Sequence, residues 1–249
     1  MLIDTDRLTA ADREAWTRLE RYDHACYPRV ERAVDRALTA IRDWWGDGTQ
    51  GGVCSVSWGK DSTVCADLVA RTGLPIPIVW VNRAPFEPPE TGWVRDAFLA
   101  AHQVDYREIE AKPRDPRRGE PGFEENNANP SFRWEDALNE HIGNHHRYLS
   151  GIRADESSSR TLSLRRLGAV TRRTCRPIGT WTARDVFAYL AGRNLPVHPA
   201  YAMTYGGVLD RERLRVHTLC SPMGDARWEQ AYFGDIIADA LSHRGKEDQ

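Results

Sequence analysis

No two cysteines in this chain form a C-x-x-C unit or stand next to each other. The five that occur, Cys26, Cys54, Cys65, Cys175 and Cys220, are scattered and odd in number. This pattern argues against a disulfide framework, a structural zinc site and a self-contained four-cysteine iron–sulfur site, and leaves individual free thiols open. No apolar run approaches the ~20 residues needed to span a bilayer. The stretch MLIDTDRLTAADREAW is too acidic and polar for a secretory signal, so the expected location is the cytoplasm, with no membrane partner. Neither sign of charge dominates: 34 Lys and Arg face 36 Asp and Glu, a net charge of −2. Any anion site therefore has to be a local patch. Internal repeats and low-complexity tracts are also lacking. A chain of 249 residues suits one α/β domain with a sizeable core, or a domain plus a small appendage.

Short buried runs alternate with amphipathic ones. Residues 9–46 carry Trp16, Leu19, Tyr22, Val30, Val34, Leu38, Ile41 and Trp45 at helical spacing, and Tyr27-Pro28 predicts a break into two helices. Val53–Ser57 reads as a buried strand and Asp61–Thr72 as a helix. Ile76–Val81, Glu90–His102 and Val104–Ile109 read as strand, helix and weaker strand. Lys112–Pro130 reads as a long loop and Phe132–His141 as a helix. Tyr148–Arg153 and Ala169–Thr174 are expected strands, and Glu156–Leu167, Thr182–Arg193 and Arg227–Leu241 expected helices. Thr182 has an acid at N3, the capping-box pattern. The alternation implies a mostly parallel sheet covered on both faces, with ligands at the carboxyl ends of its strands.

Such an end carries the most informative stretch, Ser57-Trp58-Gly59-Lys60-Asp61-Ser62. A mononucleotide P-loop needs G-x-x-x-x-G-K-[ST], but here the upstream glycine is missing and Asp61 follows Lys60. What is left is a short loop in which two hydroxyls, a glycine, a lysine and the amides of a helix N-terminus converge. That combination suits an isolated anion such as pyrophosphate. The plain alternative is a tight turn with Lys60 in solvent.

The hexamer resembles the S-G-G-K-D-S loop of the PP-loop ATP pyrophosphatases, with Trp58 in place of the first glycine. Two further segments are similar to the phosphoadenylyl-sulfate (PAPS) reductase-like branch. VNRAPFEPPET, from Val81, resembles D-T-G-x-x-F-P-E-T with Asn82 replacing the acid, and GIRADESSSR, from Gly151, resembles G-[ILV]-R-x-x-[EQ]-S-x-x-R. The stretch RPIGTWTARDVFAYL is also similar, and the likeness spans Val53 to Tyr201. It implies an adenine nucleotide α-hydrolase-like α/β fold that takes ATP with Mg2+. Ser57, Trp58, Gly59, Lys60, Asp61, Ser62, Val81, Asn82, Gly151, Arg153, Glu156 and Arg160 would bind the nucleotide. Lys60, Asp61 and Arg153 would be catalytic, with Asp61 near the metal and Trp58 stacking on a base or shaping the pocket. The corresponding domains are residues 1–50 (helical), 51–201 (ATP-binding) and 202–249 (helical extension).

The chain departs from the reductases proper, because Cys220 in HTLCSPMGD lacks the neighbours of their E-C-G-[IL]-H motif. The likeness is better to small proteins of DNA phosphorothioation, the Ssp and Dnd type. It implies cleavage of ATP to AMP and pyrophosphate, adenylation of an acceptor such as the DNA backbone phosphate, and sulfur supplied by a cysteine desulfurase. A sulfonucleotide reductase and a non-catalytic nucleotide-binding module are the alternatives. Arg165, Arg166, Arg172, Arg173 and Arg176 would attract a phosphate backbone or form a solvated helix end. Cys175, flanked by Arg173 and Arg176, leads as a sulfur relay and Cys220 follows; Cys54 and Cys65 read as core. His141, His145 and His146 are a weak metal pattern without the glutamate of H-E-x-x-H. A homodimer is open.

Overall fold

In the computed structural model, residues 1–84, 86–110, 147–221 and 224–247 are described. The expected Lys112–Pro130 loop, the Phe132–His141 helix and the three histidines lie outside these residues. The elements are α1 (Ala10–Trp45), β1 (Val53–Val56), α2 (Lys60–Thr72), β2 (Ile78–Asn82), α3 (Pro89–Ala101), β3 (Tyr106–Glu110), β4 (Tyr148–Leu149), α4 (Ser158–Leu167), β5 (Thr174–Cys175), α5 (Ala183–Gly192) and α6 (Ala226–Glu247). The five strands form one sheet in the order β3-β2-β1-β4-β5. β1 runs parallel to both β2 and β4, with Cys54 opposite Ile78 and Val53 opposite Tyr148, and β4 runs parallel to β5. This is the expected α/β architecture. The order reverses direction between β1 and β4, the switch point where doubly wound sheets open a crevice. None of the described helices is long and apolar enough to cross a membrane.

The described residues fall into two compact units. The larger holds residues 1–80, 90–107 and 147–216. Its core is the buried face of the sheet with α1, α2 and α5. α1 begins with a capping box, in which the Thr9 hydroxyl accepts the Asp12 N–H at 3.1 Å and Asp12 accepts the Thr9 N–H at 3.2 Å. α5 carries the expected one between Thr182 and Asp185. Trp16 meets Phe187 edge-on at 6.1 Å, and Val30, Val34, Ile41 and Trp44 are buried along the same helix. Each such side chain contributes on the order of 1.5–3 kcal/mol.

The break expected at Tyr27-Pro28 does not occur, and α1 runs through Pro28. A proline removes one helical bond and costs about 3 kcal/mol. Here the helix is anchored before the proline by Asp23 and Tyr27, and after it by the buried Val30 and Val34. Asp23 takes a guanidinium nitrogen of Arg211 at 2.7 Å from each carboxylate oxygen, and Tyr27 packs on Tyr189 at 6.2 Å. The expected strand Tyr148–Arg153 shortens to Tyr148–Leu149, and the one expected over Ala169–Thr174 lies instead at Thr174–Cys175, overlapping it at a single residue; beyond Leu149 the backbone leaves the sheet to form the site.

The smaller unit holds residues 81–89, 108–110, and 217–221 with 224–247. Leu219 N–H bonds to Phe86 O at 2.8 Å, and Trp228 packs on Phe233 at 5.5 Å.

A candidate nucleotide pocket at the carboxyl ends of the strands

The chain leaves β1 at Val56 and enters α2 at Lys60, so residues 57–59 have to turn sharply. Trp58 adopts φ +54° to do it, a left-handed conformation that costs an L-residue roughly 1–2 kcal/mol. The turn directs its ring into the core, onto Phe98 at 5.3 Å and Tyr106 at 5.9 Å. Trp58 is fully buried, so it braces the loop from behind, and base stacking is not its role. Ser57 N–H donates to Ser62 Oγ at 3.2 Å, and that hydroxyl donates to Gly59 O at 3.0 Å, tying the loop to the first turn of α2. The opening amides of a helix have no intrahelical acceptor, and those of α2 start at this loop.

Lys60 is 3 % exposed. Its ammonium lies 3.0 Å from Asp61 Oδ2 and 5.0 Å from the centre of the Tyr201 ring. Burial works against the charge, but the charge interactions with Tyr201 and the Asp61 carboxylate outweigh it, and the lysine pKa ends raised. The other Asp61 oxygen accepts Arg153 Nε at 2.6 Å. Arg153 is itself buried and gives Nη1 to Asp155 at 3.2 Å and to Trp181 O at 3.3 Å. Desolvation opposes its charge as well and is outweighed by Asp61. Asp61 thus bridges two buried cations. Arg153, expected among the nucleotide-binding and catalytic residues, clamps the loop from beneath.

Gly151, two residues beyond β4, lies directly against the start of α2. A Cβ at Gly151 would stand 2.8 Å from the Asp61 carbonyl carbon and 2.9 Å from its oxygen. This close approach accounts for the glycine of the Gly151-Ile152-Arg153 segment. Glu156 Oε2 accepts the Arg153 N–H at 2.9 Å and pairs with Arg160. Arg215 Nη2 donates to Glu156 O at 3.3 Å.

Together these residues enclose a cavity of about 300 Å³ at the β1–β4 switch point, with Ser57, Gly59, Lys60, Asp61, Gly151, Glu156, Arg160, Tyr201 and Arg215 on its walls. Its volume lies at the small end of ligand pockets, and its cations are Lys60, Arg160 and Arg215. Sequence reasoning missed Tyr201 and Arg215. Tyr201 is an uncharged residue at the edge of the recognised stretch, and Arg215 lies beyond it, so neither carried a local signal. Val81 and Asn82 end β2, and the Asn82 amide donates to Glu108 at 2.8 Å in the smaller unit.

Magnesium finds no ready protein cage. Among the described residues no three His, Cys, Asp or Glu side chains are grouped to hold a metal ion, and Asp61, the expected ligand, already faces two cations. The residues present do not fit a protein-held magnesium ion.

The cysteines also sort clearly. Cys54 and Cys65 are buried as expected. Cys175 is buried too, its thiol turned to Ala40 O at 3.7 Å, and burial pushes its pKa up to about 12. The exposed, arginine-activated thiolate expected there is absent because β5 turns this side chain inward. Cys220 lies in the smaller unit at φ +59°. Its N–H donates to Glu229 Oε2 at 2.9 Å, and Glu229 Oε1 meets His217 Nε2 at 2.8 Å. None of the five lines the cavity.

The profile of the phosphoadenosine phosphosulfate reductase domain family matches residues 52–210. The phosphoadenosine 5'-phosphosulfate reductase of Xanthomonas axonopodis pv. citri is 27% identical over 191 residues, covering 72% of this chain and 76% of its own. The Synechococcus enzyme of the same name is 27% identical over 197 residues, covering 71% and 81%. The crystal structure of a PAPS reductase from Candida auris, a phosphate complex, superposes with a TM-score of 0.51 at 16% identity, covering 74% of this chain and 89% of that one.

Proposed function

The chain belongs to the phosphoadenosine phosphosulfate reductase domain family, and we propose that this member binds ATP and cleaves it between the α and β phosphates, transferring the adenylyl group to an anionic acceptor. The observation that carries the proposal is the composition of the cavity wall. A buried lysine and the opening amides of α2 meet at one end, two arginines stand on the wall, and no thiol is present.

Each residue has a defined task. An acceptor oxygen attacks the α-phosphorus; its new P–O bond forms as the bridge to the β-phosphorus breaks, and pyrophosphate leaves with the bonding electron pair. Charge growing on that leaving group is met by the Gly59, Asp61 and Ser62 amides and by the Lys60 ammonium, held in place beforehand by Asp61 and Tyr201. Arg160 and Arg215 neutralise the remaining phosphate oxygens. Magnesium enters as part of the nucleotide substrate, and no step depends on a protein-held ion.

The wall also bears on the acceptor. Its carboxylates, Asp61 and Glu156, are both engaged by cations, so neither is set to take a proton from a hydroxyl. A phosphodiester oxygen is already ionised and requires no base. Residues 157–176 contain six arginines and no acid, and Arg165, Arg166, Arg172 and Arg173 are exposed. These features support the DNA backbone phosphate as acceptor, with persulfide sulfur from a cysteine desulfurase displacing AMP afterwards and a thiol reductant then cleaving the resulting S–S bond to free the phosphorothioate.

The test is product analysis of ATP labelled at the α or the γ phosphate, for the wild type and Lys60→Ala, with and without DNA. AMP and pyrophosphate, lost in the variant and stimulated by DNA, are the expected outcome. ADP and phosphate would overturn the mechanism. A second reading, sulfonucleotide reduction, draws support from the names of the relatives and from the Glu229-held Cys220. It requires that PAPS binds and that Cys220→Ser abolishes sulfite release.

A further inference from the structure

Tyr201 touches Lys60 twice. Its hydroxyl accepts the Lys60 N–H at 3.0 Å, and its ring faces the Lys60 ammonium at 5.0 Å. One side chain thereby fixes both the first amide of α2 and the charge that the helix presents. A Cβ at Gly59 would stand 2.9 Å from the same hydroxyl, so the loop closes directly onto it.

The phenol is held on all sides. It ends the 3-10 turn Pro199–Tyr201, whose cap His198 accepts the Ala200 N–H at Nδ1 (3.1 Å) and meets Thr91 Oγ1 at Nε2 (3.3 Å). Phe187 packs edge-on against the ring at 5.7 Å. Just beyond, Asp12 accepts the Thr204 and Gly206 N–H groups at 3.1 and 2.8 Å. Tyr201 is 2 % exposed. A lysine chain loses up to about 2 kcal/mol of rotamer freedom when ordered. An ammonium already held between a ring face and a carboxylate has met that cost before any anion arrives.

We propose that Tyr201 is the positioning residue for Lys60, taking up its N–H and thereby holding its ammonium in register for a pyrophosphate-like anion. The proposal rests on the reading of the loop as an anion site.

The test uses the full chain and inorganic pyrophosphate with magnesium, titrated calorimetrically, with thermal melts of each protein. Wild type, Tyr201→Phe, Tyr201→Leu, Lys60→Ala and the two double variants are compared. Tyr201→Phe keeps the ring and loses the acceptor, and is expected to weaken binding about tenfold. Tyr201→Leu is expected to weaken it further, with Phe recovering part of that loss. In the Lys60→Ala background, where the ammonium is gone and only the N–H of residue 60 remains for the hydroxyl to hold, either Tyr201 substitution should cost clearly less affinity than in the wild type. Losses at Tyr201 that are the same with or without Lys60 would overturn the positioning role while leaving the anion site intact. A wild type that binds neither pyrophosphate nor ATP would overturn the anion site and the proposal with it. The Tyr201→Phe pair decides the question alone where Tyr201→Leu does not fold.

Discussion

Gly151 approaches Asp61 so closely that a Cβ on it would lie within 2.9 Å of three Asp61 atoms, two of them backbone. Backbone at the start of α2 cannot swing aside as a flexible side chain would. Gly151→Ala should therefore push β4 and α2 apart, destabilising the fold by about 1–3 kcal/mol as overpacking does. ATP affinity should fall at least about tenfold, because the displaced residue anchors Lys60. Urea unfolding and equilibrium binding check both; a variant with wild-type affinity would show that this contact does not set the pocket.

Replacing Asp61 by Asn removes the anion shared by Lys60 and Arg153 while keeping the shape. Lys60 then loses its carboxylate partner while Arg153 keeps only Asp155, and a buried charge left uncompensated costs about 3–5 kcal/mol. Asp61→Asn should lose stability on that scale, and the double variant Asp61→Asn/Arg153→Met should recover much of it. Denaturant midpoints read the difference.

His198 supplies a pH dependence. Burial holds its pKa down at about 3, against an ordinary 6.5. Above pH 6.5 the ring is neutral in both folded and unfolded chains and contributes nothing. Below it the unfolded chain takes up a proton that the folded one refuses, so stability falls with pH by about 1.4 kcal/mol per unit down to about pH 3. His198→Asn keeps an acceptor for the Ala200 N–H and has no such proton. Unfolding at pH 7, 6, 5 and 4 should show the variant losing stability less steeply than the wild type, and parallel slopes would refute the assignment.

Among the described residues, the side chains of Arg165 and Arg166 on α4 and of Arg172 and Arg173 before β5 face solvent without an acidic partner. If each meets one backbone phosphate, changing all four to alanine should lower the slope of log affinity against log salt for duplex DNA by about 3–4. An unchanged slope would move the acceptor away from this surface.

The alternation of buried runs, the loop at Ser57–Ser62, the capping box at Thr182 and the Gly151–Arg160 segment were all legible in the sequence, because each depends on neighbours a few residues apart. What escaped depends on distant partners. Pro28 stays inside α1 because Tyr189 and Arg211 hold the turns before it and the core covers Val30 and Val34 after it. Trp58 turns inward because Phe98 and Tyr106 leave a place for it. Arg153 and Cys175 carry the composition of exposed, reactive groups and are buried by elements packed over them. Tyr201 reaches Lys60 across 141 residues, a separation no local pattern encodes.

The Asp12 carboxylate, on the first helix, accepts amides 192 and 194 residues further along. During synthesis, the α1 face bearing Trp16, Val30, Val34 and Ile41 leaves the ribosome long before α5 and the segment that covers it. Until then that face is an apolar stripe without a cover, the kind of surface chaperones hold. The wall bearing Tyr201 and Arg215 can be set only after roughly the first 216 residues have emerged. A nascent chain stalled short of that point would have its phosphate loop and yet no closed pocket.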